Sequence, residues 1–306
     1  MADQAFEDIG VAVIAPSGYA QDVAAFHASL DRLKALGLRV HNYYQPEAKV
    51  TRFGAADDER LRQIGLATSN PDVQVVLAVR GGYGVSRLLP HIDFKRMAAS
   101  GKLFVGHSDF TPIHLGLLAA GATSFAGPFL FPDFTAEPPS DFTMEQFAHC
   151  LTSSEHSVSG QAEGNPDVDV SGVLWGGNLT MITHLYGTPH QPYVTGGILF
   201  LEDIAEHPYR IERMLLQMLH AGVLEKQKAI LLGDFSGYRL SEYDNGYDFD
   251  VMLAFLRSRV SVPVLCGLPF GHIRDKATLA VGAQAHLQGK GGQWQLAMRD
   301  YRNIAR

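Results

Sequence analysis

Cysteine is nearly missing from this 306-residue chain, which has only Cys150 and Cys266. The two are far apart and form no CxxC, so neither a disulfide framework nor a thiolate zinc site is implied. Basic blocks are missing too. The formal net charge is −7, which argues against nucleic acid or an anionic membrane surface as a partner. No apolar run reaches the length of a membrane span. The first residues, Met1-Ala-Asp-Gln-Ala-Phe-Glu-Asp8, have neither a basic n-region nor an apolar h-region. The cytoplasm is therefore the expected compartment. Thirteen histidines are present, but no HExxH or comparable ligand spacing gathers them, so no metal is expected. The dinucleotide fingerprint G-x-G-x-x-G also fails. Gly82-Tyr-Gly84 is followed by Val85-Ser86-Arg87, and no acidic residue ends the next strand to hold a ribose. A nucleotide cofactor is not expected. There is no internal repeat.

Hydrophobic residues are plentiful at 46%, ample for a buried core, and 306 residues are enough for one large or two ordinary domains. Gly10–Ala15, Leu38–Val40, Val73–Val79 and Lys102–Gly106 read as strands. Val23–Leu36, Asp57–Ala67 and a short segment through Leu88-Leu89 read as helices between them. Strands alternating with helices predict parallel βαβ units with both sheet faces covered. From about Phe134 the character changes. Asp141–Leu151 has helical spacing with Ser140 as its cap, and Ser153–Val170 is polar and suits an interdomain crossing. Further strands follow at Gly172–Trp175, Gly197–Leu201, Ala229–Gly233 and Pro263–Cys266. Helices follow at Thr180–Tyr186, Pro208–Leu224 and Phe249–Val260. Short strands with glycine turns fill Ala277–Met298. The expected division is 1–135, a linker over 136–168, and 169–306.

In such sheets ligands bind beyond the carboxyl ends of the strands. The stretch Lys102-Leu-Phe-Val-Gly106-His-Ser108-Asp-Phe-Thr-Pro112 is a buried strand running into a helix, with Thr111 as N-cap and Gly121 as the stop. Ser108 falls on the tight turn between them, at backbone N–H groups and a helix N-terminus that favour an oxyanion. Its two readings are a turn or cap serine, and the nucleophile of an elbow that lacks the usual G-x-S-x-G. Glu202 ends an apolar strand, as a salt-bridged or capping carboxylate or as a functional one. His272, in Gly267-Leu-Pro-Phe-Gly-His272, is either a polar loop residue or a general base awaiting a partner. His107 is a rival base by proximity. The glycines of Arg80-Gly-Gly-Tyr-Gly84 are tight-turn residues or backbone donors to a substrate oxygen.

Taken together, Arg80-Gly-Gly-Tyr-Gly84, Gly106-His-Ser-Asp109, Leu174-Trp-Gly-Gly-Asn178, Leu201-Glu-Asp-Ile-Ala-Glu206, Arg213-Met-Leu and Gly267–His272 resemble the LD-carboxypeptidases in order and spacing. The resemblance runs from the first strand to about Gly282. It implies a class I glutamine amidotransferase-like (flavodoxin-like) α/β domain and a β-rich, swivelling-barrel-like α/β domain. The chain is similar to the housekeeping, murein-recycling branch. The microcin C self-immunity branch carries a longer insertion near the active site, for which this chain has no room. His107 stands where the family usually has Tyr. The resemblance implies Ser108 as nucleophile, Glu202 as acid and His272 as base, with the backbone N–H groups of Gly82 and Asp109 as oxyanion donors. It further implies a murein tetrapeptide as substrate, D-alanine as the released product, no cofactor, and a cytoplasmic homodimer. Arg80, Tyr83 and Arg210 are candidate substrate-binding residues, because an arginine fork suits a free terminal carboxylate. Two alternatives remain. One is a peptidyl- or aminoacyl-nucleotide hydrolase with the same triad, and the other is a non-catalytic small-ligand binder in the same crevice.

Overall fold

The computed structural model describes residues 6–304. The first half of the chain alternates β1 (Gly10–Ile14), α1 (Val23–Ala35), β2 (Arg39–Asn42), α2 (Asp57–Ser69), β3 (Val75–Ala78), α3 (Val85–Leu88), α4 (Phe94–Ser100), β4 (Leu103–Gly106), α5 (Thr111–Ala119) and β5 (Ser124–Ala126). The second half contributes α6 (Asp141–Thr152), β6 (Glu155–Gln161), β7 (Val168–Asn178), α7 (Leu179–Thr183), β8 (Ile198–Glu202), α8 (Pro208–His220), β9 (Ala229–Leu232), α9 (Phe249–Arg259) and β10 (Val264–Leu265). The chain ends with β11 (Leu279–Val281), β12 (Gln284–Lys290) and β13 (Gln293–Arg299). No helix among the described residues is long and apolar enough to cross a membrane.

Two sheets result. The first has the order β11-β5-β4-β3-β1-β2, parallel except where β11 meets β5 antiparallel. The second has the order β10-β9-β8-β7-β12-β13-β6. Its β10-β9-β8-β7 half is parallel, and its β7-β12-β13-β6 half is antiparallel. The central strands are apolar on both faces, as helix-covered parallel sheets require. Val11 and Val13 of β1 join one buried cluster while Ala12 and Ile14 join the other. Ile198 and Phe200 of β8 divide from Leu199 and Leu201 in the same way. Both clusters draw on both sheets, so the two halves pack together through two shared cores.

Local signals place most helix ends. Asp22 caps α1 by accepting from the Ala25 N–H at 2.9 Å, and Ser140 caps α6 by accepting from the Thr143 N–H at 3.1 Å. The amphipathic α8 buries Ile211, Leu215 and Met218, the spacing expected for one apolar helix face.

Two expectations need correction. Thr111 is not the cap of α5. A 3₁₀ turn over Ser108–Phe110 precedes that helix, and the Thr111 hydroxyl instead accepts from the Asn178 N–H at 3.0 Å. That bond ties the elbow to the end of β7. The approach is close enough that a Cβ on Gly177 would lie 2.5 Å from the Thr111 Oγ1. Second, Ser153–Val170 is not a featureless crossing. It holds β6, which pairs with β13 along its whole length, and the first residues of β7.

Candidate active site

The carboxyl end of β4 delivers Ser108 at φ +53. A side chain held in this left-handed region costs on the order of 1–3 kcal/mol and persists only where the surroundings enforce it. Gly82 approaches from the neighbouring loop after β3 at φ +111, a conformation glycine adopts without a Cβ penalty. The loop lies directly against the serine, because a Cβ on Gly81 would be 3.0 Å from the Ser108 Oγ.

Asp109 joins these two turns. It is fully buried, and its Oδ2 accepts from the Val85 N–H at 3.0 Å. Burial pushes its carboxyl up to about 6, against the opposing pull of the nearby Ser17 hydroxyl and the hydrogen-bonded Val85 N–H. The same region is braced by fully buried Arg60. Its guanidinium donates to the Pro16 carbonyl, to the Gly84 carbonyl at 3.0 Å and to Asp57 at 2.6 Å.

The second half of the chain supplies the candidate base and its carboxylate partner. Glu202 ends β8 with no exposure, and its Oε2 accepts from the His272 Nδ1–H at 2.9 Å. A carboxylate acceptor fixes the proton on Nδ1 and leaves Nε2 as a lone-pair acceptor. Burial pulls the His272 imidazole down, but the Glu202 hydrogen bond and charge outweigh it and set it above the ordinary histidine value. The adjacent Asp203 does a different job. It accepts from the Asn178 Nδ2 at 3.0 Å and from the N–H and hydroxyl of Thr180 at 2.9 and 2.8 Å. Burial and the neighbouring Glu202 charge raise its carboxyl.

Ser108, Gly82 and His272 line one cleft of about 450 Å³, together with Arg80, His107, Phe129, Asp133 and Lys276. His107 is almost fully buried. Its Nδ1–H donates to the Gly127 carbonyl at 2.8 Å, and its ring stacks on Phe129 at 4.0 Å. Burial, then the Lys276 charge, holds its imidazole well below the ordinary value. Among the described residues it has no carboxylate partner, which sets it apart from His272. Arg80 reaches the cleft, with its Nη1 at 3.5 Å from the Tyr19 carbonyl.

Tyr83 and Arg210 are not brought to the cleft lining. Tyr83 is 42% exposed and packs near Phe53 under the Arg52 guanidinium. Arg210 stands on the exposed side of α8, held by Glu206 at 3.6 Å and the Tyr209 hydroxyl at 3.3 Å. The sequence reading missed Lys276 and Asp133. Their Nζ and Oδ1 are 2.5 Å apart, although 143 positions separate them along the chain, so no local spacing signals the pair.

The arrangement has the parts that acyl transfer uses: a hydroxyl on a strained elbow, an imidazole oriented by a carboxylate, and a glycine loop packed against the hydroxyl. Comparisons with known proteins agree. The LD-carboxypeptidase N-terminal domain matches residues 11–127, and the LD-carboxypeptidase C-terminal domain matches residues 171–287. The crystal structure of a muramoyltetrapeptide carboxypeptidase from Oxalobacter formigenes is 54% identical, with a TM-score of 0.92 over 96% of this chain and 100% of that one. The murein tetrapeptide carboxypeptidase of Pseudomonas aeruginosa is 30% identical over 95% of this chain and 98% of its own. A microcin C7 self-immunity protein in complex with glutamyl sulfamoyl guanosine shares the fold, at 22% identity and a TM-score of 0.86 over 97% of each chain. Matched in both of its domains and along nearly its whole length, the chain belongs to the LD-carboxypeptidase family.

Proposed function

We propose that the protein is a cytoplasmic L,D-carboxypeptidase that releases the terminal D-alanine of murein tetrapeptides, acting as a homodimer, with Ser108, His272 and Glu202 as its triad. The observation that carries this reading is the Glu202–His272 bond, which fixes the Nδ1–H tautomer in the cleft that also holds the strained Ser108. His272 Nε2 takes the hydroxyl proton as Ser108 Oγ bonds to the scissile carbonyl carbon. The N–H groups of Gly82 and Asp109 receive the oxyanion. His272 then gives the proton to the leaving nitrogen, the C–N bond breaks, and an acyl-enzyme remains. Water, deprotonated by the same imidazole, releases the tripeptide. Glu202 orients the ring and stabilises its cation. The names of the similar proteins from Oxalobacter formigenes and Pseudomonas aeruginosa support the substrate.

The test is incubation with a murein tetrapeptide and detection of free D-alanine. Cleavage is expected to fall when the terminal D-alanine is replaced by L-alanine, because inversion exchanges the positions of methyl and carboxylate. Equal release from both peptides would sink the reading. Measuring the same release against pH gives a second check. His272 acts as a base only when neutral, and its imidazole is set above 6.5. Turnover is therefore lost as pH falls through a midpoint above 6.5 and is retained above it. Asp109 takes up a further proton near pH 6, which weakens its hold on the Val85 N–H, so the acid limb should be steeper than one proton below that pH. An acid limb centred well below 6 would count against His272 as the base.

A further inference from the structure

We propose that Lys276, oriented by Asp133, binds the free terminal carboxylate of the substrate and so makes the enzyme an exopeptidase; this rests on the function just argued. In acyl transfer the base ends beside the leaving nitrogen, since it protonates that atom. When the leaving group is an amino acid, its carboxylate carbon lies two bonds further on, about 2.5 Å from that nitrogen. The cation that reads the carboxylate must therefore flank the base and not the oxyanion donors. Arg80 does not meet this requirement as well, because it stands two residues before the oxyanion donor Gly82, on the loop that packs against Ser108. Arg274 is exposed and donates to the Pro138 carbonyl at 3.2 Å.

Lys276 meets the requirement. It lies four residues after His272 and lines the same cleft, with only 4% of its side chain exposed. Its charge is felt by both His272 and His107, whose rings are 5.2 Å apart. The lysine is held at both ends. Its backbone N–H donates to the Thr143 Oγ1 at 2.9 Å, and its ammonium donates to the Asp133 Oδ1 at 2.5 Å. Asp133 is itself anchored, with its Oδ2 accepting from the Phe129 N–H at 2.8 Å. An ammonium has three donors, and the ion pair uses one. Asp133 thus offsets the cost of burying the cation and leaves donors for a ligand carboxylate. A terminal amide or a continuing peptide would set N–H groups against those donors and leave them unpaired.

The test compares the tetrapeptide with its C-terminal amide. For each, kcat/KM is measured in the intact protein, and Kd is measured in the Ser108→Ala background. The wild-type protein should prefer the free acid by about 100-fold or more, as expected when a buried polar partner is left unmatched. In Lys276→Met the preference should collapse to within about 3-fold, with the whole loss on the acid. Because that variant strands Asp133, the neutral pair Asp133→Asn/Lys276→Met is measured beside it, and the same collapse is expected. Arg80→Met should lower both peptides alike. A preference that survives in a folded Lys276→Met or double variant, or one that collapses in Arg80→Met instead, would overturn the assignment. Release of neither D-alanine from the acid nor D-alaninamide from the amide by the wild-type protein would overturn the function, and this inference with it.

Discussion

Ser108→Ala is expected to abolish turnover, lowering kcat by roughly 10⁵- to 10⁶-fold, since members of a nucleophile–base unit fail together and leave only the contribution of binding and the oxyanion donors. The loss should be chemical and not structural. Alanine meets the same Cβ constraint at φ +53 that serine already meets, so backbone strain is unchanged. The surrounding loops are fixed by groups other than the hydroxyl: Asp109 on the Val85 N–H, and Arg60 on the Gly84 carbonyl. Circular dichroism and the thermal midpoint should therefore match the wild-type protein within a few degrees. A serine-directed fluorophosphonate should label the wild-type protein once and the variant not at all. Wild-type-like D-alanine release from a folded Ser108→Ala protein would remove the serine mechanism altogether.

The parts of this fold that could be read from the sequence are those whose physics is local. Val11–Ile14 and Ile198–Leu201 are apolar on both faces because helices cover both sides of the sheet, and such runs are visible one strand at a time. The caps Asp22 and Ser140 are likewise settled within three residues. β6 escaped because Glu155-His-Ser-Val-Ser-Gly-Gln161 buries only His156 and Val158. It is an edge strand whose pairing comes from β13, more than 130 residues later. β11 escaped as a partner of β5 for the same reason. Thr111 was misassigned because its hydroxyl has two possible uses. The local one, capping, lost to an N–H on Asn178 that only the tertiary fold brings near.

The candidate site divides along the same line. Ser108 is marked by its own strand, turn and helix, whereas Glu202 and His272 are 70 positions apart and carry no mutual signal. Only the resemblance to a family joined them before the fold did. For the lysine and aspartate across the cleft, neither periodicity nor motif gave a pointer, because each looks like an ordinary surface charge until the other is placed beside it. Tyr83 and Arg210 show the limit of closeness along the chain to Gly82 and to Glu202, because both are exposed and neither is among the residues that line the cleft.

Glu202→Gln should reduce kcat by about 10³- to 10⁴-fold, close to the cost expected for losing the orienting carboxylate of a triad. The substitution keeps the shape of a side chain with no exposure, so the lesion is electronic. In the wild-type protein the Glu202 Oε2 can only accept, which forces the His272 proton onto Nδ1 and leaves Nε2 free to take a proton from Ser108. A carboxamide can turn its NH₂ toward Nδ1 and favour the opposite tautomer, whose Nε2–H cannot act as a base. The remaining molecules also lose the charge that stabilises the imidazolium. This second effect has a signature of its own. The Glu202 hydrogen bond and charge are what lift the His272 imidazole above its ordinary value against burial. Without them burial prevails, and the acid limb of the pH–rate profile should move to lower pH even as the plateau falls. A packing defect would lower the plateau and leave the limb in place. Profiles of kcat/KM for wild type and variant, recorded on one tetrapeptide, separate the two cases, and an unshifted limb would mean that Glu202 does not act on His272 through charge.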